Sequence, residues 1–339
     1  MAFSLLNTFL LACSAFGFTN VQAQSGPLLQ TGRLAASPGP GSSFLPVVIY
    51  QSSNSLNSLF EVHATSNGGW NYGSLGDAGA FLPQAGTPLT SVLYPSTGQI
   101  YLYYVSIDSE LIERVRSNTG VWSAPRYMGV NPISSGRGLT SYLDPTGQIT
   151  IWYQDTDSTI KRCLWRSAGC LAEDNGGPSI NNVLLGSDIA SFQDDVGHQH
   201  IYYQTKDAGN PIKEMAWDKN QWNFGPLIEN APPQVSFKSI MSAISPGNPS
   251  YSSPISQFWQ LNTQIFNQVT MAVFDATECG GWCYAKSLMQ TLEYTAGLSV
   301  TSSGTAVRAY FITSAGTLGE LGNNANGWGM LPDILAVAT

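Results

Sequence analysis

The sequence predicts an all-β fold, a six-bladed β-propeller of antiparallel sheets whose ring closes between its first and last blades. Three observations predict it. The 339-residue chain is rich in Gly (34), Pro (19) and aromatic residues (11%) but carries few charges (11%), which suits short strands and turns better than amphipathic helices. A β-branched and aromatic strand core recurs six times, at intervals of about fifty residues. After most of these cores a polar turn leads to a second strand, and then to a Trp beside Gly or polar residues. Six such sheets stacked about an axis bury their faces against one another and leave only short edges. A pair of sandwich domains would not impose that template.

The elements follow in chain order. The opening "MAFSLLNTFLLACSAFGFTNVQAQ" has a short apolar stretch and a small-residue site at Val21-Gln22-Ala23. Residues 1–23 are therefore expected to be a signal peptide, and 24–339 one propeller domain of a secreted, extracellular protein. The stretch is too short to span a bilayer, and no later segment is apolar enough to do so. The strand cores are "VVIYQ" (47–51), "IYLYYV" (100–105), "ITIWYQ" (149–154), "HIYYQ" (200–204), "SQFWQ" (256–260) and "VRAYFI" (307–312). Second strands are "LFEVHA", "LIERVR", "IKRCLW", "IKEMAW" and "LGELGN", and the Trp positions are Trp70, Trp122, Trp222, Trp282 and Trp328. In the third unit Leu171 is expected where that Trp would fall, and the fifth unit is the least regular.

Several function classes are excluded or left without support. The net charge is -8 and no basic run occurs, so a nucleic-acid surface is not expected. Once Cys13 leaves with the signal peptide, Cys163, Cys170, Cys279 and Cys283 allow three pairings. Proximity favours Cys163–Cys170 and Cys279–Cys283 as disulfide clips. The histidines are His63, His198 and His200. His198 and His200 would share one face of a strand, but two ligands are too few, so neither a metal site nor a cofactor is expected. GxSxG and HExxH patterns are lacking. Carboxylates recur once per unit instead of pairing, and Asp194 and Asp195 of "DDVGHQH" read as a hairpin turn, so a glycoside hydrolase is the weaker alternative. The expectation is a protein that is not an enzyme.

Equivalent positions of the repeat carry the chemistry. Arg308 aligns with Val47, Tyr101, Thr150 and His200, and Glu320 with Glu61, Glu113, Arg162 and Glu214. Antiparallel pairing across the hairpin makes such residues near neighbours, so a guanidinium fork and a carboxylate can face one groove between two sheets. An Arg donor beside a Glu acceptor can satisfy adjacent hydroxyls with charge-assisted bonds. A flat Trp adds an apolar platform.

"VRAYFITSAGTLGEL…GW", "ITIWYQDTDSTIKRC" and "HIYYQTKDAGNPIKEMAWDKNQW" resemble the repeat of the fungal fucose-specific lectins, across all six units from about residue 30 to 339. The resemblance implies a six-bladed propeller with sugar sites between adjacent blades. It implies Arg and Glu from one blade and an aromatic from the outer strand of the next. Arg308 and Glu320 match, and ring closure makes Trp70 their aromatic partner. His200, Glu214 and Trp282 form a variant site, as do Glu61 and Trp122, with Val47 where Arg is expected. Glu113 is read as lacking both an Arg and a facing aromatic. The resemblance implies fucosylated glycans or glycoproteins as partners, bound at fewer sites than is typical, and self-association as a homodimer is considered. A surface drifted from sugars toward a protein partner is the alternative.

Overall fold

Among the described residues, twenty-five strands pair into six antiparallel sheets. The computed structural model describes residues 33–334 apart from 41–44, 53–56, 77–78, 133–137, 145, 173–177, 195–196, 228–240, 245–254, 263–266, 276–280, 283–285, 290–295, 304–305, 314–316, 325–326 and 332–333. The first sheet holds β1 (Leu34–Ser37), β2 (Val47–Gln51), β3 (Leu59–Ala64) and β4 (Trp70–Ser74). The second holds β5 (Leu89–Tyr94), β6 (Gln99–Val105), β7 (Leu111–Arg116) and β8 (Arg126–Tyr127). β9 (Leu139–Leu143), β10 (Ile149–Gln154), β11 (Ile160–Arg166) and β12 (Gly169–Ala172) form the third. β13 (Ile189–Gln193), β14 (Gln199–Gln204), β15 (Ile212–Trp217) and β16 (Trp222–Leu227) form the fourth. The fifth contains β17 (Met241–Ile244), β18 (Ile255–Asn262), β19 (Asn267–Asp275), β20 (Gly281–Trp282) and β21 (Lys286–Met289). The sixth contains β22 (Ala296–Ser303), β23 (Ala306–Ile312), β24 (Leu318–Asn324) and β25 (Gly327–Leu331). In five of the sheets the spatial order follows chain order; in the fifth, β21 pairs with β19 beside β20.

The first strand of each sheet lies against the first strands of its neighbours, and β1 lies against both β5 and β22. This is the arrangement of a β-propeller. The second strands β2 and β10 are buried on both faces, which explains why "VVIYQ" and "ITIWYQ" are continuous apolar runs where a half-exposed strand would alternate. Their apolar side chains pack between sheets. Val48, Tyr50 and Val62 of the first sheet meet Tyr310, Ile312 and Leu318 of the sixth, and Ile49 and Leu59 meet Ile100, Leu102 and Ile112 of the second.

The Gln that ends several cores has a structural role. Buried Gln51 donates to the carbonyls of Asn57 (3.1 Å) and Gln84 (2.7 Å) and accepts from the Gly86 amide (2.8 Å). Gln154 clamps Leu184 and Gly186 in the same way. Each amide ties the end of one sheet to the loop entering the next, satisfying backbone groups that would otherwise be buried unpaired.

Small and hydroxylated residues face the axis, because six strands converge there and leave little room. Ser37 donates to Ser91 (2.8 Å), Thr90 bonds Ser141 (2.8 Å), and Thr140 bonds Ser191 (3.1 Å). Ser299 accepts from the Ala36 amide at 2.9 Å. Thr90, Ser91, Thr140, Ser141, Ser191 and Ser299 line an axial cavity of about 90 Å³. A buried ion pair, Arg33 to Asp188 at 2.9 Å, joins the first sheet to the fourth at this cavity.

The expected Cys163–Cys170 disulfide is present, with Cα atoms 5.4 Å apart, and it links β11 to β12. The expected Cys279–Cys283 pair and the expected signal peptide at 1–23 lie outside the described residues.

Candidate functional site

Register places the key side chains. The carboxylates Glu61, Glu113, Glu214 and Glu320 stand opposite Ile49, Tyr103, Tyr202 and Tyr310. Arg308 pairs with Gly322, so it reaches Glu320 diagonally, from two residues before Tyr310. A Cβ at residue 322 would strike the Arg308 guanidinium, so glycine there leaves the fork its space. Sequence reasoning missed the tyrosines. Tyr103 donates to Glu113 at 3.1 Å, Tyr202 to Glu214 at 2.8 Å, and Tyr310 to Glu320 at 3.2 Å. Burial and the adjacent carboxylate hold all three phenols well above their ordinary pKa, so they remain donors. The pairing signal was available as an aromatic on the neighbouring strand, two residues past the Arg position.

Between the first and second sheets, Glu61 is buried and fully engaged. Arg116 grips it bidentately, Nε to Oε2 at 2.7 Å and Nη2 to Oε1 at 3.1 Å. Trp122 donates to Oε2 at 2.8 Å, and His63 Nδ1 lies 3.2 Å from Oε1. Burial raises the pKa, but the bonds from His63, Arg116 and Trp122 outweigh it and leave the carboxyl below its ordinary value. The guanidinium missing at Val47 is thus supplied by the neighbouring sheet.

Between the second and third sheets, the expectation for Glu113 is corrected. Arg126 of its own sheet donates to Oε1 at 2.6 Å, and Trp165 of the next sheet donates to Oε2. The Arg126 guanidinium also sits over the Trp165 ring at 5.9 Å, and Tyr101 meets that ring edge-on at 5.6 Å. Pairing of Trp165 with Cys170 shows why Leu171 misled. Ala64 pairs with Trp70, Arg116 with Trp122 and Trp217 with Trp222, so Cys170, not Leu171, occupies the Trp position of the third unit. There the aromatic has crossed to the partner strand.

The inner members of those pairs share a position, three residues after the aligned carboxylate or its Arg162 substitute. Strand alternation sends residues three apart to opposite faces, so each faces the preceding cleft. Arg116 fills the Glu61 cleft and Trp165 fills the Glu113 cleft. At the cleft of the sixth and first sheets the equivalent residue is Ala64.

That last cleft has the predicted constellation. Arg308 Nε lies 3.1 Å from Glu320 Oε1, and Tyr310 bonds the same oxygen. Trp70, half-buried, meets Tyr310 edge-on with ring centroids 6.4 Å apart. Both described contacts to Glu320 fall on one oxygen. Burial therefore outweighs Arg308 and Tyr310, and the carboxyl pKa lies above its ordinary value, the reverse of Glu61.

In the fourth sheet, His200 Nδ1 bonds Glu214 Oε1 at 2.7 Å, and Phe192 stacks on the imidazole at 4.8 Å. The side chain of Trp282 lies outside the described part of the chain. In the third cleft Arg162 stands where the others have Glu. It lies over Trp152 at 5.9 Å, and Trp222 meets Trp152 edge-on at 5.4 Å, giving a cation–aromatic stack without a carboxylate from the motif. Cys163 and Cys170 flank Trp165, so the disulfide braces the hairpin that covers Glu113.

The chain is thus a β-propeller with buried carboxylates, cations and aromatics in the grooves between its sheets. The model of the fungal fucose-specific lectin family matches residues 32–234, and the chain belongs to that family. A fucose-specific lectin of Aleuria aurantia is 25% identical over 226 residues, which cover 63% of this chain and 64% of that protein. The solved structure of AofleA from Arthrobotrys oligospora aligns at 19% identity with a TM-score of 0.74, covering 93% of this chain and 89% of that one. A mutant Aleuria aurantia lectin in complex with Fucα1-6GlcNAc aligns at 21% identity with a TM-score of 0.72, covering 92% and 99%.

Proposed function

We propose that this protein is a secreted lectin that binds L-fucose-containing glycans in the clefts of a six-bladed, closed ring. Its principal site is Arg308, Glu320 and Trp70. The observation that carries the reading is the contrast in occupancy among the clefts. Glu61 and Glu113 have both oxygens engaged by protein donors, whereas the described contacts to Glu320 leave Oε2 for a ligand, with Ala64 at the covering position. A sugar hydroxyl can donate to that oxygen and accept from Arg308, while Trp70 takes the fucose methyl group or an apolar ring face. The Aleuria aurantia lectin, crystallised with Fucα1-6GlcNAc, supports the choice of sugar. The clefts at Glu61 and Glu113 are self-filled and silent in this reading, so valency is lower than the number of sheets. Glu214 with His200 and Trp282 forms a variant site.

A glycan array with free-fucose competition tests the proposal. Fucosylated glycans are expected to bind, and Arg308→Ala to weaken binding by roughly ten- to a hundredfold, the value of a charge-assisted hydrogen bond. Folded protein that binds no carbohydrate would overturn it.

A further inference from the structure

We infer that Asp194, His198 and His200 form a zinc-type divalent metal site at the edge of the fourth sheet's cleft. Where the sequence offered two ligands, the fold supplies three. Asp194 follows β13 and His198 precedes β14, and the Asp194 carboxylate, which accepts from the His198 amide at 2.7 Å, reaches both imidazoles. Asp194 Oδ2 lies 3.2 Å from His198 Nδ1 and 3.5 Å from His200 Nε2, and the three donor atoms all fall within 4.8 Å of one another. Ligands about 2.0–2.2 Å from a tetrahedral Zn²⁺ stand about 3.3 Å apart, so both Asp194 contacts already match that spacing, and rotation of the more exposed His198 ring closes the rest.

The outer contacts point the same way. His200 Nδ1 is bonded to Glu214, which commits that nitrogen to the carboxylate. Nε2 is buried, makes no hydrogen bond of acceptable geometry, and is aimed at Asp194. A carboxylate behind a histidine whose other nitrogen is available is the usual support of a metal-ligating imidazole. Phe192, stacked on the ring, fixes its plane. His198, the most exposed of the three, gives the ion a route from solvent. With three protein ligands, the fourth position is open to water or a hydroxyl.

His200 occupies the position that Arg308 holds in the sixth sheet, two residues before the tyrosine that bonds the glutamate. A metal held there supplies fixed positive charge to a cleft without an arginine. This last step rests on the lectin reading above, whereas the metal site itself does not.

Calorimetric titration of the full-length protein with Zn²⁺, in the absence of sugar, tests the site. One ion per chain is expected, and Co²⁺ should give the intense visible absorption of a tetrahedral site. His198→Ala, on the accessible side of the cluster, should weaken Zn²⁺ by at least about tenfold, whereas His63→Ala should change nothing. Absence of binding, or equal binding by the His198→Ala protein, overturns the site. Zinc binding that leaves affinity for fucosylated glycans unchanged in an Arg308→Ala background overturns only the charge role.

Discussion

Glu61 and Glu320 occupy equivalent positions, yet their surroundings push them in opposite directions. Glu61, held by Arg116, Trp122 and His63, binds its proton less readily than in the unfolded chain. Its stabilisation is complete above the unfolded pKa and disappears as pH falls through the lower folded value. Glu320 has a raised folded pKa. Its contribution is complete below the unfolded value and is lost as pH rises through the folded one. Thermal unfolding of Glu61→Gln and Glu320→Gln across the acidic range should therefore show opposite trends relative to the unsubstituted protein. Glu61→Gln should lose about 3 kcal/mol at neutral pH, because it strands a buried guanidinium, and the loss should shrink in acid. Glu320→Gln should gain relative stability toward neutral pH. In the proposed binding mode fucose needs the ionised Glu320 acceptor, so binding should fade at a higher pH than for an ordinary carboxylate, which a pH series of sugar titrations would measure.

At the level of strands, the repeat was legible because its period, aromatic cores and turns are local features. The proximity of Arg308, Glu320 and Trp70 was readable for the same reason: each matches a template position, and the first and sixth sheets lie side by side. What stayed hidden was which residue covers each carboxylate. That depends on face alternation across a neighbouring sheet, as with Arg116, or on an aromatic exchanged between paired strands, as with Trp165. Asp194 was hidden similarly, since "DDVGHQH" gives no sign that its reversal folds the carboxylate over both histidines. The covering rule makes a gain-of-function prediction. Val47→Arg with His63→Gly and Arg116→Ala gives the Glu61 cleft the arginine, the glycine opposite it and the uncovered carboxylate of the Glu320 cleft, and on the proposed lectin reading calorimetry should show one additional fucose site per chain. A second prediction concerns the clip on β11 and β12. Replacing Cys163 and Cys170 by Ala should cost about 2 kcal/mol, as expected for a short closed loop, and loosen Trp165, visible as a change in tryptophan fluorescence.

Across the whole molecule, the Arg33–Asp188 pair is the only described ion pair joining the first sheet to the fourth. Breaking a buried pair leaves one charge uncompensated, so Arg33→Ala should lower unfolding stability by about 3–5 kcal/mol in denaturant titrations. The double change to Met at 33 and Leu at 188 should recover much of that loss, since apolar replacements of similar volume remove both charges together.

The meeting of the first and sixth sheets has a further consequence. Trp70 lies early in the chain and Arg308 late, and Tyr72 also donates to the Ile334 carbonyl across the same boundary. A ligand seated among Trp70, Arg308 and Glu320 touches both termini of the fold at once and acts as a clasp. In the proposed closed ring, the described contacts between the first and sixth sheets are packing and hydrogen bonds, so occupancy of this groove opposes their separation by RT ln(1 + [L]/Kd). On the proposed lectin reading, the protein would be hardest to unfurl or digest when bound to a glycan-coated surface, and freed from it, it would return to its most vulnerable state.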